Sequence, residues 1–150
     1  MRTLAPAILI LLLGACTASK PAPATTPPRG DCETGVSRAA LPEWARAGFT
    51  GDGAGTPHRL GDRGDLMAVL FNYPPVADPD RGTKILWVSR LPVDSPRPLV
   101  IDAVRDDGQV ARQELTGGAG PSSVQLPAPG CWALTLSWSG HTDAMRLRFT

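Results

Sequence analysis

Residues 129–138 read Pro-Gly-Cys-Trp-Ala-Leu-Thr-Leu-Ser-Trp, and this stretch decides the fold prediction. A Pro-Gly turn precedes a run in which the large side chains recur at every second position. Successive side chains of a β-strand point to opposite faces. The large residues from Trp132 to Trp138 would therefore share one face, and Cys131 would lie on the other. The stretch predicts a strand with one face in a hydrophobic core and its cysteine directed away from that core.

The segments before and after this strand also have strand patterns. Residues 65–73 and 84–91 are nearly continuous apolar runs, which predicts strands buried on both faces. An Asp-Asp-Gly hairpin signal separates residues 99–105 from residues 110–115, and the charges of the second segment predict an edge strand. Two more strands are predicted at residues 123–126 and 144–149.

The resulting pattern is about seven short strands with turns between them and no long helix. It predicts an all-β protein, an antiparallel immunoglobulin-like β-sandwich, with a small β-barrel as the alternative. Residues 42–48 predict at most one helical turn beginning at Pro42. Residues 50–64 contain five glycines and predict a loop.

The N-terminus has the pattern of an export signal. A short basic start precedes the apolar residues 4–13, which are too few to span a bilayer stably. The run ends in Leu13-Gly14-Ala15-Cys16, which resembles the bacterial lipobox. The resemblance implies cleavage before Cys16 and a lipid on that cysteine, whereas an ordinary signal peptide is the alternative. Residues 16–30 are rich in Pro, Ala and Thr and predict a tether, which leaves residues 31–150 for the β-sandwich domain.

A lipid on Cys16 would anchor the domain to a membrane on its extracytoplasmic side. That side is the outer face of the cytoplasmic membrane, or the periplasm and outer membrane in a Gram-negative cell. The two remaining cysteines, Cys32 and Cys131, are then one pair in an oxidising compartment, and we expect them to form a disulfide. A metal or redox site would need closer cysteine or histidine spacing.

The expected disulfide differs from that of an antibody domain, which crosses the core and has a tyrosine two residues before its second cysteine. Here Pro129 occupies that position, and Cys131 faces away from the core tryptophans. Our hypothesis is that the bridge attaches an N-terminal segment to the outer face of the sheet that contains Cys131. The large apolar residues of that segment are Leu41, Trp44 and Phe49.

The last two strands, from Pro-Gly-Cys-Trp onward, resemble the C-terminal strands of uncharacterised bacterial lipoproteins with Ig-like domains. Residues 84–88, Lys-Ile-Leu-Trp-Val, resemble an inner strand of the same proteins. The resemblance covers about the last two thirds of the chain. It implies an exported Ig-like module and no particular chemistry.

Composition and motifs disfavour several function classes. The formal net charge is +1, so the chain lacks the excess of basic residues that would indicate nucleic acid as a partner. The nearest catalytic constellation is Ser139-Gly140-His141-Thr142-Asp143, where neighbours in a turn would rarely adopt triad geometry. No Gly-x-Ser-x-Gly motif accompanies it. We therefore expect a protein that is not an enzyme and has no cofactor.

Neither of two possible metal sites is favoured. Turn solvation explains the aspartates better than a calcium site, since the spacing of a calcium-binding loop is missing. Core packing explains the methionines better than a copper site, since both lie in strand patterns. The residues considered are Asp78, Asp80, Asp102, Asp106 and Asp107 for calcium, and His58, His141, Met67 and Met145 for copper.

Four tryptophans in a chain with three phenylalanines and one tyrosine suggest either core packing or an aromatic groove. Core packing accounts for Trp87, Trp132 and Trp138, which leaves Trp44 as the candidate partner contact. The sequence thus favours a non-catalytic binding module for a protein or polymer of the cell envelope. The alternative is a carrier of a small ligand or metal that uses the loops at residues 50–64 and 139–143.

Overall fold

Nine strands form two antiparallel sheets in the described part of the chain, which is residue 32, residues 35–94 and residues 97–150 of a computed structural model. Five strands make one sheet in the order β1-β2-β3-β4-β7, and four make the other in the order β6-β5-β8-β9. In chain order they are β1 (Val36–Ser37), β2 (His58–Leu60), β3 (Leu66–Leu70), β4 (Thr83–Ser89), β5 (Leu99–Arg105), β6 (Val110–Leu115), β7 (Pro121–Val124), β8 (Gly130–Trp138) and β9 (His141–Phe149).

The predicted central strand is β8, which pairs with β5 on one side and β9 on the other. Trp132 and Trp138 lie at opposite ends of its core face, and both are buried in the main hydrophobic cluster. Trp87 of β4 enters the same cluster from the facing sheet. The core assignment of these three tryptophans is therefore confirmed, and Cys131 lies on the opposite face of β8, as its place in the alternation predicts.

The topology confirms the predicted sandwich. β4 pairs with β7, and these two strands take the places of strands B and E of an immunoglobulin-like domain. β5, β8 and β9 are neighbours in the second sheet and take the places of strands C, F and G. Each sheet has two separate edges, so the barrel alternative is wrong. The hairpin β5-β6 has the predicted bounds, and β6 is an edge strand, as predicted.

Several strands differ from the prediction. β1 and β2 were missed, and β2 lies inside the predicted loop at residues 50–64, because two or three residues are too few to show an alternation. β7 begins two residues before the predicted strand at residues 123–126. β9 begins at His141, so the predicted turn at residues 139–143 contracts to Ser139 and Gly140, whose φ angles are 45° and 82°.

The prediction of two apolar faces is right for β3 and wrong for β4. All five residues of β3 are buried, whereas Lys84 of β4 is exposed and Leu86 and Val88 are only half-buried. Pro42 precedes a single 3-10 turn, Glu43–Ala45, as expected. No helix among the described residues has the length and apolar character needed to span a membrane.

Candidate interaction surface and ligand cleft

The disulfide joins Cys32 to Cys131, with 5.8 Å between their Cα atoms. Because Cys131 lies on the outer face of the four-stranded sheet, the bridge does not cross the core, as predicted. Arg146 of β9 donates one hydrogen bond to Cys131 Sγ at 3.1 Å and another to the carboxylate of Asp106. The bridge therefore fixes Cys32 beside the start of β8.

The apolar N-terminal segment covers the other sheet, which corrects our hypothesis. We call residues 41–49 the cover segment. Leu41 and Ala45 of this segment form a second buried cluster with Met67 and Val69 of β3. The partly buried side chains that pack on this cluster are Trp44, Phe49, Leu86 and Val88.

The reason for the correction is the composition of the two outer faces. The outer face of β3 is apolar and needs a cover, because an exposed apolar face promotes association. The outer face of β8 carries Ala133, Thr135 and Ser137 and needs none. β1 begins four positions after Cys32 and pairs with β2 at the edge of the five-stranded sheet, so the chain already belongs to that sheet before the cover segment begins.

Hydrogen bonds to backbone carbonyls and one close glycine contact hold the cover segment in place. The N–H of Leu41 donates to the carbonyl of Asp52 at 2.9 Å, and Arg46 Nε donates to the carbonyl of Leu41 at 2.7 Å. Gly53 lies against the Leu41 side chain with a φ of +72°, and a Cβ there would be 2.5 Å from Leu41 Cδ1. A glycine is therefore required at residue 53 by both conformation and space.

Trp44, the predicted partner contact, is half-buried at the margin of this second cluster. An exposed loop follows β3 and includes Phe71, Tyr73 and Val76, which are 53%, 41% and 50% exposed. The Arg38 guanidinium lies 5.7 Å from the centre of the Tyr73 ring. Sequence reasoning missed this loop, although three large apolar residues around a Pro-Pro turn were the available signal.

A cleft of about 640 Å³ separates the cover segment from β2. Apolar side chains line one part of it, and a histidine and three charged side chains line another. Its side chains include Leu41, Pro42, Arg46, His58, Arg59, Leu60, Asp62 and Met67.

His58 is the most enclosed polar side chain of this cleft, at 5% exposure. Its Nδ1 lies 2.9 Å from the carbonyl oxygen of Thr56. A carbonyl oxygen can only accept, so Nδ1 carries the hydrogen. The Nε2 atom has no hydrogen-bond partner among the described residues.

The candidate triad residues are not assembled into a catalytic arrangement. The Asp143 carboxylate accepts the backbone N–H groups of Arg63, Asp65 and Leu66, so it serves the structure of that loop. The His141 ring packs against Trp138, with 5.7 Å between ring centres. Asp143 brings the start of β9 to the loop at residues 61–66, so the two loops of the carrier alternative, residues 50–64 and 139–143, contact each other. The carboxylate at this contact already accepts backbone N–H groups and is not left for a ligand.

The described residues contain no group of three or more His, Cys, Asp or Glu side chains placed to hold a metal ion. Four of the five aspartates considered for calcium have carboxylates bound to other groups. Asp78 Oδ1 accepts the N–H groups of Arg81 and Asp80, and these bonds, Arg81's first, lower the pKa of Asp78. The Arg105 guanidinium binds Asp107 and is the main reason why the pKa of Asp107 falls to about 2, with the N–H of Gln109 contributing.

The other two paired aspartates and the two methionines also have structural roles. Asp102 pairs with Arg112 at 2.5 Å, and Asp106 pairs with Arg146. Met67 and Met145 are buried in different hydrophobic clusters, as core packing predicts.

Comparison with known proteins gives no match: no family model, no curated protein and no solved structure matches this chain. The resemblance to bacterial lipoproteins thus stays a prediction from the residues. Cys16, the signal peptide and the tether lie outside the described residues.

Proposed function

We propose that this protein is a membrane-anchored extracytoplasmic lipoprotein that acts as a non-catalytic binding module at the bacterial cell envelope. Its partner would be an envelope protein or polymer. The lipobox-like Cys16 would supply the anchor, and residues 16–30 would form the tether that leads to the domain at residues 31–150.

The observation that carries this proposal is that the disulfide and the apolar side chains lie on opposite outer faces of the sandwich. The tether would enter at Cys32, which is bonded to Cys131 on the outer face of the four-stranded sheet. Trp44 packs on the outer side of the five-stranded sheet with the cover segment, and the exposed Phe71 lines a separate pocket with Lys84 of β4 in the same sheet. In an anchored domain of this kind, the point where the tether attaches would not cover the apolar residues on the opposite face. Those residues would stay accessible to a partner, which supports a role in binding.

Metabolic labelling with an alkyne-bearing palmitate tests the anchor. We expect label on the wild-type protein and none on Cys16→Ser, whereas Cys32→Ser, the matched control, retains the label. Membrane fractionation of the same strains should release only Cys16→Ser. Label that persists in Cys16→Ser, or is missing from the wild type, would refute the lipoprotein proposal.

Site-specific photo-crosslinking in intact cells tests the binding surface. A photoreactive phenylalanine analogue replaces Trp44 or Phe71, and the control replaces Val110, which is 72% exposed on the edge strand β6. We expect one discrete adduct shared by positions 44 and 71 and missing at 110. The same adducts at all three positions would contradict the assignment of this surface.

The carrier alternative has one supporting observation, the cleft beside His58. Metal analysis of the purified protein tests its metal-carrying form. Stoichiometric bound metal would favour a carrier over a binding module, whereas metal-free protein that still crosslinks through position 44 supports the module.

A further inference from the structure

We propose that the cleft between the cover segment and β2 binds a small amphipathic carboxylate, an acid with a compact apolar body. This site goes beyond the proposed envelope-binding role, because it lies beside the cover segment and requires no macromolecular partner. The cleft volume of about 640 Å³ falls within the usual range of small-molecule sites, about 300–1,000 Å³.

Arg46 supplies the charge that would bind the acid. Its Nε donates to the Leu41 carbonyl, and its two terminal nitrogens have no partner among the described residues. A guanidinium with free terminal N–H groups matches a carboxylate, which can accept two parallel hydrogen bonds. The bond to Leu41 also fixes the direction of the Arg46 side chain, so less conformational entropy is lost on binding.

The other charges leave the cleft with an excess of positive charge. Arg59 pairs with Asp62 at 3.4 Å, and its Nε is buried without a partner. With this pair balanced, Arg46 is the uncompensated cation among the charged groups that line the cleft. One uncompensated cation favours a monoanion over a doubly charged ligand.

The apolar wall indicates that the ligand has a hydrophobic body. Leu41 and Met67 belong to the second buried cluster, and Leu60 beside them is 42% exposed. An aliphatic chain placed there would remove the Leu60 side chain from water, at about 25 cal/mol per Å² of apolar surface. A simple inorganic anion would not use this wall.

His58 gives the site its second polar contact and a means of observation. Because Nδ1 is bonded to Thr56, the ring is fixed and Nε2 is left for a ligand oxygen. The chain has two histidines, and His141 lies in the other sheet against Trp138. A spectrum of the two histidine rings therefore contains a reporter for the cleft and an internal control.

The experiment uses the full chain in phospholipid nanodiscs, with ¹³C at the Cε1 atoms of both histidines, titrated with hexanoate. We expect a saturable shift of the His58 signal and a constant His141 signal. Arg46→Gln should weaken the apparent affinity at least about tenfold, the factor that corresponds to 1.4 kcal/mol of charge-assisted hydrogen bonding. Arg46→Lys should lose less, and Arg112→Gln, on the outer face of the other sheet, should lose nothing.

Two further ligands separate the contributions of charge and apolar body. Hexanamide, which has the same chain without the charge, should bind at least about tenfold more weakly than hexanoate. Inorganic phosphate should leave the His58 signal unshifted at the same concentrations. The proposal is overturned by a flat His58 signal with hexanoate, by equal binding of hexanamide, by equal binding of phosphate or by full affinity in Arg46→Gln.

Discussion

The Asp143 carboxylate accepts the backbone N–H of Leu66 at 3.1 Å, although the two residues are 77 positions apart. Leu66 begins β3 in one sheet, and Asp143 lies near the start of β9 in the other. The same carboxylate accepts the N–H groups of Arg63 and Asp65, at 2.9 Å and 3.0 Å. One buried side chain therefore ties the two sheets together at the turn that leads into β3.

Replacing Asp143 with alanine should destabilise the domain strongly. Asp143 is 1% exposed, so its loss leaves N–H donors near the core without acceptors. At about 1–3 kcal/mol for each such donor, we expect a loss of roughly 3–5 kcal/mol in the free energy of unfolding. Asp143→Asn should lose less, because its amide keeps one acceptor oxygen.

Urea unfolding followed by tryptophan fluorescence measures these losses. Asp102→Asn is the matched control, because its partner Arg112 lies on the exposed face of the same sheet and such pairs contribute about 0–1 kcal/mol. Equal stabilities for Asp143→Ala and Asp102→Asn would show that the Asp143 contacts do not stabilise the fold.

Gly61 should not tolerate a methyl group, for a related reason. A Cβ at Gly61 would lie 2.2 Å from Asp143 Oδ2, and the carboxylate cannot retreat without losing its N–H donors. We expect Gly61→Ala to cost about 1–3 kcal/mol of unfolding free energy in urea, the usual range for overpacking. Gly117→Ala is the control, since nothing lies within 4 Å of its Cβ position. A neutral Gly61→Ala would mean that the carboxylate has room to move.

The sequence predicts the long strands well because their signals are local. Alternation over β8 identifies its core face, and the Asp-Asp-Gly turn gives the bounds of β5 and β6. β2 has only three residues, so no alternation is visible, and its pairing with β3 depends on contacts made by the rest of the sheet. Short strands of this kind are created by tertiary pairing.

The cover segment shows a different limit of sequence reasoning. The expected disulfide with Cys131 correctly placed Cys32 on an outer face, but it did not indicate which sheet the following residues cover. Leu41 lies nine positions after Cys32, which gives the chain a reach of up to about 30 Å, more than the spacing of about 10 Å between packed sheets. The better signal was the doubly apolar strand β3, which identified the sheet that needed a cover.

The ligand cleft could not be predicted from local patterns. Arg46 and His58 belong to separate segments joined by the glycine-rich stretch from residue 48 onward. Several glycines there adopt positive φ, so the path of the chain is set by conformations that many sequences of similar composition would not share. Their common cleft appears only after the cover segment has packed on β3.

Removing the disulfide should destabilise the domain without changing the fold. The bridge closes a loop with a sequence separation of 99, for which the chain-entropy treatment gives up to about 4.7 kcal/mol. We expect the double variant Cys32→Ser, Cys131→Ser to lose roughly 2–4 kcal/mol in urea unfolding. The wild type should lose a similar amount on reduction with dithiothreitol, whereas the double variant should not respond to it. Unchanged stability on reduction would contradict a stabilising bridge.

Leu41→Ala tests whether the cover segment depends on its buried anchor. Leu41 is 0% exposed and packs on β3, so the change should cost about 2–5 kcal/mol and expose Met67 and Val69. Urea unfolding gives the loss, and binding of a hydrophobic dye below the transition reports the exposed face. Val110→Ala, at an exposed apolar position, should change stability by less than about 0.5 kcal/mol. Similar results for both variants would mean that the cover does not protect β3.

The pair Arg105 and Asp107 should respond to acid in a defined direction. Arg105 donates two hydrogen bonds to the Asp107 carboxylate, at 2.9 Å and 2.5 Å, and the pKa of Asp107 is lowered to about 2 from 3.8. A carboxyl whose pKa is lower in the folded state stabilises the fold above its unfolded pKa. Its contribution is therefore complete above about pH 4 and is lost as the pH falls toward about 2.

Carboxyl ¹³C titration of the folded protein measures this pKa directly. In Arg105→Gln the largest cause of the shift is removed, so the Asp107 midpoint should rise toward 3.8, while the N–H of Gln109 keeps it somewhat below that value. Asp78 is the control, because its pKa is lowered mainly by the N–H groups of Arg81 and Asp80, which this substitution leaves in place. An Asp107 midpoint that stays near 2 in Arg105→Gln would assign the shift to the turn backbone rather than to the guanidinium.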